Sequence, residues 1–231
     1  MLGEAGKMTG LLSVVRASQV RNIGHVPEYL KIKQTGSAIK RKEGNEMSKE
    51  KQPEHRKRDL LLSDRISQGT VAGIIQEIFE INLDDDDKEE VYKDWERKPI
   101  RLFINSYGGS VYDGLALVDV IKRSKTPVHT ICIGSGMSMA LWVWLSGAKR
   151  LIGESATLMF HDVSAFAYDM TEGIKQELNE MLRLQEMLVS EIVSKSMVKE
   201  ETLRDYISRK AEWYIPASEA ISLKLADKYY K

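Results

Sequence analysis

Short apolar segments alternate along this chain with segments whose apolar residues recur at helical spacing, and this alternation limits the folds that the chain can adopt. The apolar run at residues 60–62 precedes a helical pattern that starts at Val71, and the run at residues 100–104 precedes one that starts at Val111. Strands with almost no polar residues are typical of a parallel sheet covered by helices. The sequence therefore predicts an α/β fold.

The second half of the chain continues this pattern. Its predicted elements are a strand at 127–133, a helix at 138–145, strands at 149–153 and 157–161, a long amphipathic helix at 171–196, and a last helix and terminal strand from residue 217 onward. The apolar stripe of the long helix is longer than a small core needs. Such a stripe is expected where the helix contacts another subunit, or where the helix folds back on the sheet.

An acidic run occupies residues 84–90, between the first helical pattern and the second apolar run. Dense charge of this kind usually lies in solvent, so we expect a solvated loop there. A calcium loop would need ligands at fixed positions and a turn glycine, and the run lacks that spacing. No His, Cys and carboxylate spacing elsewhere indicates a metal site.

The N-terminal part of the chain has a different composition. Residues 1–46 carry eight Lys and Arg against four Glu and show no sustained apolar periodicity. They predict a disordered basic leader over residues 1–58, followed by a single domain at residues 59–231. The leader has too few aromatics to stack on bases, so no nucleic-acid partner is expected. Codons for residues 42–44 can contain a ribosome-binding sequence, and a natural start at Met47 is our hypothesis, testable by N-terminal mass.

No apolar run approaches the roughly 20 residues that a membrane-spanning helix needs. The N-terminus also lacks an apolar core followed by a small-residue cleavage site, so we expect a cytoplasmic protein without a membrane partner. Cys132 is the single cysteine and lies in an apolar strand. A strand core raises a thiol's pKa, so Cys132 is predicted to be buried and unreactive.

Three motifs could supply parts of a nucleophilic site. The turn at residues 106–110 holds Gly108 and Gly109, whose lack of side chains leaves backbone N–H groups open to an anion. Ser138 stands where a strand meets a helix, although it could simply be an N-cap, as Ser135 could. His161 ends an apolar strand, where a structural role is the commoner alternative. A serine needs a base and oxyanion donors to become a nucleophile, and these motifs offer all three.

The carboxylate that would orient the histidine is not fixed by spacing. Several acidic residues are eligible, namely Asp162, Asp169, Asp205, Glu212 and Asp227.

In their order and intervals, these motifs resemble ClpP, the proteolytic subunit of the Clp protease, over about residues 59–227. The segments that carry the resemblance are Ile-Asn-Ser-Tyr-Gly-Gly-Ser-Val from Ile104, Gly-Ser-Gly-Met-Ser-Met from Gly134, Leu-Met-Phe-His from Leu158 and a late Ala-Ser-Glu-Ala segment from Ala217. The resemblance implies a crotonase-like α/β spiral of βαβ units, with the helix at 171–196 as a handle between rings.

It further implies a serine endopeptidase that acts on unfolded proteins inside heptameric rings stacked as a tetradecamer. An AAA+ unfoldase would feed the chamber and would use the ATP, because this sequence contains no phosphate-binding Gly-Lys-Ser/Thr loop. No cofactor of the chain's own is expected.

Carried over by position, Ser138 resembles the family nucleophile, His161 its base, and Gly109 and Met139 its oxyanion donors. Glu212 occupies the position of the family's catalytic aspartate and is one methylene longer.

Two further departures concern Tyr107, which replaces the usual proline of the turn, and residues 164–168, which replace a glycine-rich strand that lines the substrate path in the family.

Two alternatives to the serine endopeptidase stay open. One is a crotonase-fold acyl-CoA enzyme, and the other is a catalytically weak ring subunit that modulates an active paralogue.

Overall fold

A computed structural model describes residues 53–163 and 171–231 of the chain. Within them the strands are β1 (Asp59–Leu62), β2 (Ile100–Ser106), β3 (Val128–Met137), β4 (Lys149–Ile152), β5 (Thr157–Phe160), β6 (Trp213–Pro216) and β7 (Lys228–Tyr229). The helices are α1 (Gln68–Val91), α2 (Val111–Arg123), α3 (Met139–Leu145), α4 (Thr171–Lys195), α5 (Glu200–Ser208) and α6 (Ala217–Ser222). The predicted leader up to residue 52, the start at Met47, and the strand at residues 164–168 lie outside the described residues.

The sheet is mostly parallel, as the apolar strands predict. Strands β1, β2, β3, β4 and β7 are neighbours in that order, and all of these pairs are parallel. Strand β5 pairs with the last residues of β3, and β6 pairs antiparallel with β5. The α/β prediction is confirmed.

Strand β3 is longer than predicted, and besides β2 it pairs with two strands, β4 and β5. Its first half pairs with β4 and its last three residues pair with β5. At the junction, the side-chain oxygen of Asn105 accepts hydrogen bonds from the amide and the hydroxyl of Ser135, each at 3.0 Å. These two hydrogen bonds join the end of β2 to the second half of β3, so both strands end at the same edge of the sheet.

Helix α3 lies entirely in the core, since every residue from Met139 to Leu145 is buried. The indole of Trp144 donates to the carbonyl oxygen of Leu151 at 2.9 Å, and this bond fixes the helix against β4. A helix that is apolar on all sides can only be buried. The residue at its N-terminal end is therefore held in a fixed position.

The prediction of a solvated loop for the acidic run is wrong, because α1 continues through it to Val91. Asp85 faces the core one helical turn after Ile81 and is fully buried. Arg58 compensates its charge with two hydrogen bonds, of 2.8 Å and 2.5 Å. Thr126 donates to the same carboxylate at 2.6 Å. A buried carboxylate is tolerated when it is paired in this way.

Residues 53–58 pack against this cluster, so the boundary expected after residue 58 falls inside a packed segment. The ring of His55 lies on the indole of Trp95, with 4.1 Å between the ring centroids. Nδ1 of His55 lies 3.0 Å from a guanidinium nitrogen of Arg58.

Helix α4 has two differently exposed parts. Leu188, Val189 and Ile192 in its second half are buried, whereas Ile174 and Leu178 in its first half are exposed. The long helix and its apolar stripe are as predicted, and the stripe does extend beyond the core. None of the helices in the described ranges is long and apolar enough to cross a membrane.

Helix α5 and strand β6 were not predicted. Helix α5 buries only Leu203 among its residues, and β6 is four residues long, so neither leaves a strong periodic signal. Strand β6 matters for the site because it lies beside β5.

Candidate active site

Ser138 connects β3 to α3 in an unusual backbone conformation, with φ of 55° and ψ of −126°. A residue other than glycine in this region costs about 1–3 kcal/mol and persists only where its surroundings over-determine it. Here the amide of Ser138 donates to the carbonyl oxygen of Met159 at 2.9 Å. Its hydroxyl makes no capping hydrogen bond to α3. The N-cap alternative for Ser138 therefore has no support in the structure.

The hydroxyl of Ser138 faces His161 instead. Its Oγ lies 2.8 Å from Nε2 of the imidazole. When Nδ1 carries the proton of the neutral ring, Nε2 is an acceptor and the serine hydroxyl is the donor. The pairing of β3 with β5 produces this contact, since it places Met137 beside Met159 and lets both strands end together.

The double-glycine turn passes directly against the start of α3. Gly108 has φ of 95°, and a Cβ added there would lie 2.8 Å from Cβ of Ser138 and 3.0 Å from the amide nitrogen of Met139. Only glycine allows both this backbone conformation and this close approach. The turn is held by Ser106, whose Oγ donates to the carbonyl oxygen of Asp64 at 2.7 Å and accepts from the amide of Gly108 at 3.1 Å.

Two backbone amides beside Ser138 remain open. Neither Gly109 nor Met139 donates its N–H to an acceptor among residues 53–163 and 171–231. The amide of Met139 is the first of α3, where no intrahelical partner exists. Open amides of this kind can bind a carbonyl oxygen as it gains negative charge.

These groups line one cleft of about 640 Å³. Ser138, His161, Gly109 and Met139 all contribute to its wall, which is completed by the apolar side chains of Val111, Leu141, Trp142, Phe160 and Leu188. Tyr107 lies at the same cleft, and 79% of the residue's surface is exposed. A cleft with a polar pair and apolar walls can hold an extended peptide or another acyl compound.

Glu212, by contrast, does not hydrogen-bond His161. Its carboxylate accepts a hydrogen bond of 2.5 Å from the hydroxyl of Tyr214. Phe160 nevertheless pairs with Trp213 at the end of β5 and β6, and His161 and Glu212 are the residues next to this last pair. Tyr214 was not predicted as a site residue; it lies in β6, two residues after Glu212, which directly precedes the strand.

The other acidic candidates in the described ranges do not complete a triad with Ser138 and His161 either. Asp205 and Asp227 each accept a hydrogen bond of 2.6 Å from an arginine elsewhere on the surface. Asp162 lines the cleft, and Asp169 lies outside the described residues. Within the described ranges, no group accepts a hydrogen bond from Nδ1 of His161. No cluster of three metal-ligating side chains occurs in those ranges either.

Cys132 is buried in β3, as predicted. Burial raises the pKa of its thiol to about 12, so almost no thiolate forms near neutral pH. We expect iodoacetamide at pH 8 to leave Cys132 unmodified in the native protein and to alkylate it after denaturation, as measured by intact mass. Rapid alkylation of the native protein would contradict this environment.

Comparison with known proteins identifies the family. The Clp protease family model matches residues 41–231. The ATP-dependent Clp protease proteolytic subunit 1 of Prochlorococcus marinus (strain MIT 9312) is 29% identical over 174 residues, which cover 74% of this chain and 83% of that protein. Proteolytic subunit 2 of Prochlorococcus marinus (strain MIT 9313) is 31% identical over 163 residues, covering 67% of this chain and 76% of that protein. The chain therefore belongs to the Clp protease family, as a peptidase of the proteolytic-subunit type.

Proposed function

We propose that the chain hydrolyses peptide bonds by acyl transfer, with Ser138 as the nucleophile and His161 as the general base. The observation that carries this proposal is the distance of 2.8 Å between Oγ of Ser138 and Nε2 of His161 inside an open cleft. This is the separation expected for a nucleophile and its base. The unusual φ of Ser138 supports the same role, because such strain clusters at active sites.

In the first step, Oγ attacks the carbonyl carbon of the substrate and its proton moves to Nε2. The carbonyl oxygen becomes an oxyanion, which the open amides of Gly109 and Met139 stabilise. The C–N bond then breaks as Nε2 returns the proton to the departing amine. Water attacks the ester left on Ser138 with the same base, releasing the acid and restoring the hydroxyl.

Glu212 completes the proposed triad by orienting the imidazole through Nδ1. Support for this role comes from the strand register, which ends at the pair of Phe160 and Trp213 and, extended by one residue, sets Glu212 opposite His161. Directly opposed residues on antiparallel strands have Cβ atoms about 4.5–5.5 Å apart, which is within reach of a glutamate side chain.

We further propose that the chain works as a homo-oligomer of heptameric rings stacked in pairs, in the cytoplasm, with no cofactor of its own. An AAA+ unfoldase would use the ATP and deliver unfolded polypeptides. The exposed apolar side chains in the first half of α4, including Ile174 and Leu178, support a subunit contact there.

A second candidate function is a ring subunit with weak activity of its own that modulates an active paralogue. The engagement of Glu212 with Tyr214 favours it, because no carboxylate of residues 53–163 and 171–231 then orients His161.

One experiment separates the two candidates. The purified full chain is tested alone on short fluorogenic peptides, and the native mass of the same sample is measured. Hydrolysis by a ring-sized assembly, lost on Ser138→Ala, supports the peptidase. A ring-sized assembly that cleaves nothing alone, yet changes cleavage by an active paralogue, supports the modulating subunit and contradicts the first proposal.

The oxyanion role of Gly109 gives a separate prediction. A Cβ added at Gly109 would lie 2.3 Å from the carbonyl oxygen of Ile66, so Gly109→Ala must displace the turn and its N–H. Loss of one oxyanion donor typically lowers kcat by about 10²- to 10³-fold, and we expect a decrease of that size in peptide hydrolysis.

Gly73→Ala is the matched control for this variant. A Cβ added at Gly73 in α1 meets nothing within 4 Å, so kcat should be unchanged. Circular dichroism of both variants tests whether they fold. A folded Gly109→Ala variant with normal kcat would contradict the oxyanion role.

A further inference from the structure

Three side chains, those of His161, Glu212 and Tyr214, lie on one side of the β5–β6 pair beside the cleft. Met159 pairs with Tyr214, and Phe160 pairs with Trp213 as the last pair of the two strands. His161 and Glu212 come next, and the same register extended by one residue sets them opposite each other. Phe160 and Trp213 are buried on the other face of the pair. Because neighbouring residues of a strand point to opposite faces, His161, Glu212 and Tyr214 lie on the same side.

The carboxylate of Glu212 therefore has two hydrogen-bond donors within reach. One is the hydroxyl of Tyr214, two residues along the same strand, and the other is Nδ1 of His161 on the opposite strand. In the structure the carboxylate accepts from Tyr214 at 2.5 Å. Within the described ranges no group, Glu212 included, accepts a hydrogen bond from Nδ1 of His161, so the carboxylate is observed on Tyr214 and not on the imidazole.

We propose that Tyr214 is a positioning residue that competes with His161 for the carboxylate of Glu212. The inference rests on the proposed serine-peptidase function and adds a residue to it. Molecules with Glu212 on Tyr214 hold an imidazole without its orienting partner, and molecules with Glu212 on His161 hold the complete triad. The Tyr214 hydroxyl thus sets the fraction of molecules that are ready to react.

The chemistry of the two donors supports this competition. The hydrogen bond to Glu212 raises the pKa of Tyr214 above its usual value, so the hydroxyl keeps its proton and remains a donor at neutral pH. Both residues are exposed, so water is available to solvate the carboxylate as it moves between its partners. The additional methylene of glutamate, compared with aspartate, gives the carboxylate the reach for both positions.

Tyr214→Phe tests the proposal directly. The variant keeps the ring and removes the competing donor, so kcat for a fluorogenic peptide should rise about three- to tenfold, as expected for the loss of one hydrogen bond, with KM little changed. The rate of fluorophosphonate labelling at Ser138 should rise by the same factor and provides a readout even where peptide hydrolysis is slow.

Two further variants isolate the mechanism. Glu212→Ala should lower kcat, and Tyr214→Phe should give no increase in a Glu212→Ala background, because the contested carboxylate is absent. Tyr112→Phe is the matched control, since Tyr112 donates a hydrogen bond of 2.7 Å to another exposed glutamate, Glu180, on a different pair of helices. This control should leave both rates unchanged.

These variants distinguish a failure of the proposed competition from a failure of the proposed peptidase function. If Ser138→Ala abolishes activity and Glu212→Ala lowers it, while Tyr214→Phe has no effect or lowers both rates, the triad stands and the competition is overturned. An equal increase from Tyr214→Phe with and without Glu212 would also overturn the competition. Normal activity of Ser138→Ala would instead contradict the proposed function.

Discussion

Ser138→Ala should lower kcat for peptide hydrolysis by about 10⁴- to 10⁶-fold. Without Oγ no acyl intermediate can form, and only binding and the oxyanion amides continue to accelerate the reaction. The hydroxyl of Ser138 makes no capping bond, so its removal should leave the fold and the native mass unchanged.

Ser146→Ala is the control for this change. Ser146 lies at the other end of α3, where its buried Oγ donates to the carbonyl oxygen of Val143 at 2.6 Å. Loss of that bond should cost about 1 kcal/mol of stability and leave kcat intact. Comparable kcat values for Ser138→Ala and the unchanged protein would remove Ser138 from the mechanism.

Arg58→Met should destabilise the protein by about 3–5 kcal/mol, which is the usual cost of leaving one partner of a buried ion pair without compensation. Asp85 is fully buried and receives two hydrogen bonds from Arg58, while methionine fills similar space without charge. Urea unfolding measured by circular dichroism gives the difference in the free energy of unfolding.

Arg209→Met provides the comparison. Arg209 directly follows α5 and forms an exposed ion pair with Asp205 of that helix, so its loss should cost under about 0.5 kcal/mol. Equal effects of the two variants would contradict the compensating role of Arg58.

Acid sensitivity adds a second readout for the Arg58–Asp85 pair. Burial raises the pKa of Asp85, but the hydrogen bonds from Arg58 and Thr126 outweigh it and hold the pKa at about 2. A lowered folded-state pKa stabilises the protein above the unfolded pKa, near 3.9, and this stability is lost as the pH falls towards 2. The destabilisation caused by Arg58→Met should therefore be largest above about pH 5 and should shrink as the pH falls towards 2.

The order of strands and helices could be predicted because nearly continuous apolar runs and helical spacing are local signals. Strand β2 and the turn that follows it illustrate this, since Gly108 and Gly109 directly follow the apolar residues. The same reasoning failed at residues 84–90. Local charge density favoured a solvated loop there, whereas Asp85 is buried through Arg58, which lies 27 residues earlier. Pairing over such a separation leaves no local pattern.

The sequence predicted some residues of the site better than others. Ser138 and His161 follow strand ends, and parallel strands bring their ends together, so their proximity follows from the topology. The contact of Glu212 with Tyr214 could not be predicted, because an exposed side chain with two donors in reach is placed by a small difference between hydrogen bonds. The family resemblance assigned Glu212 a role and did not indicate its contact with Tyr214.

Mapping of a fluorophosphonate adduct tests the central claim, which is that Ser138 and His161 act as a nucleophile and its base. The full chain is labelled at neutral pH, digested, and analysed by peptide mass spectrometry, beside His161→Ala. We expect a single adduct on Ser138 and a labelling rate at least about 10²-fold lower in His161→Ala, which is the usual contribution of a general base. An adduct on another residue, or an equal labelling rate in His161→Ala, would contradict the account.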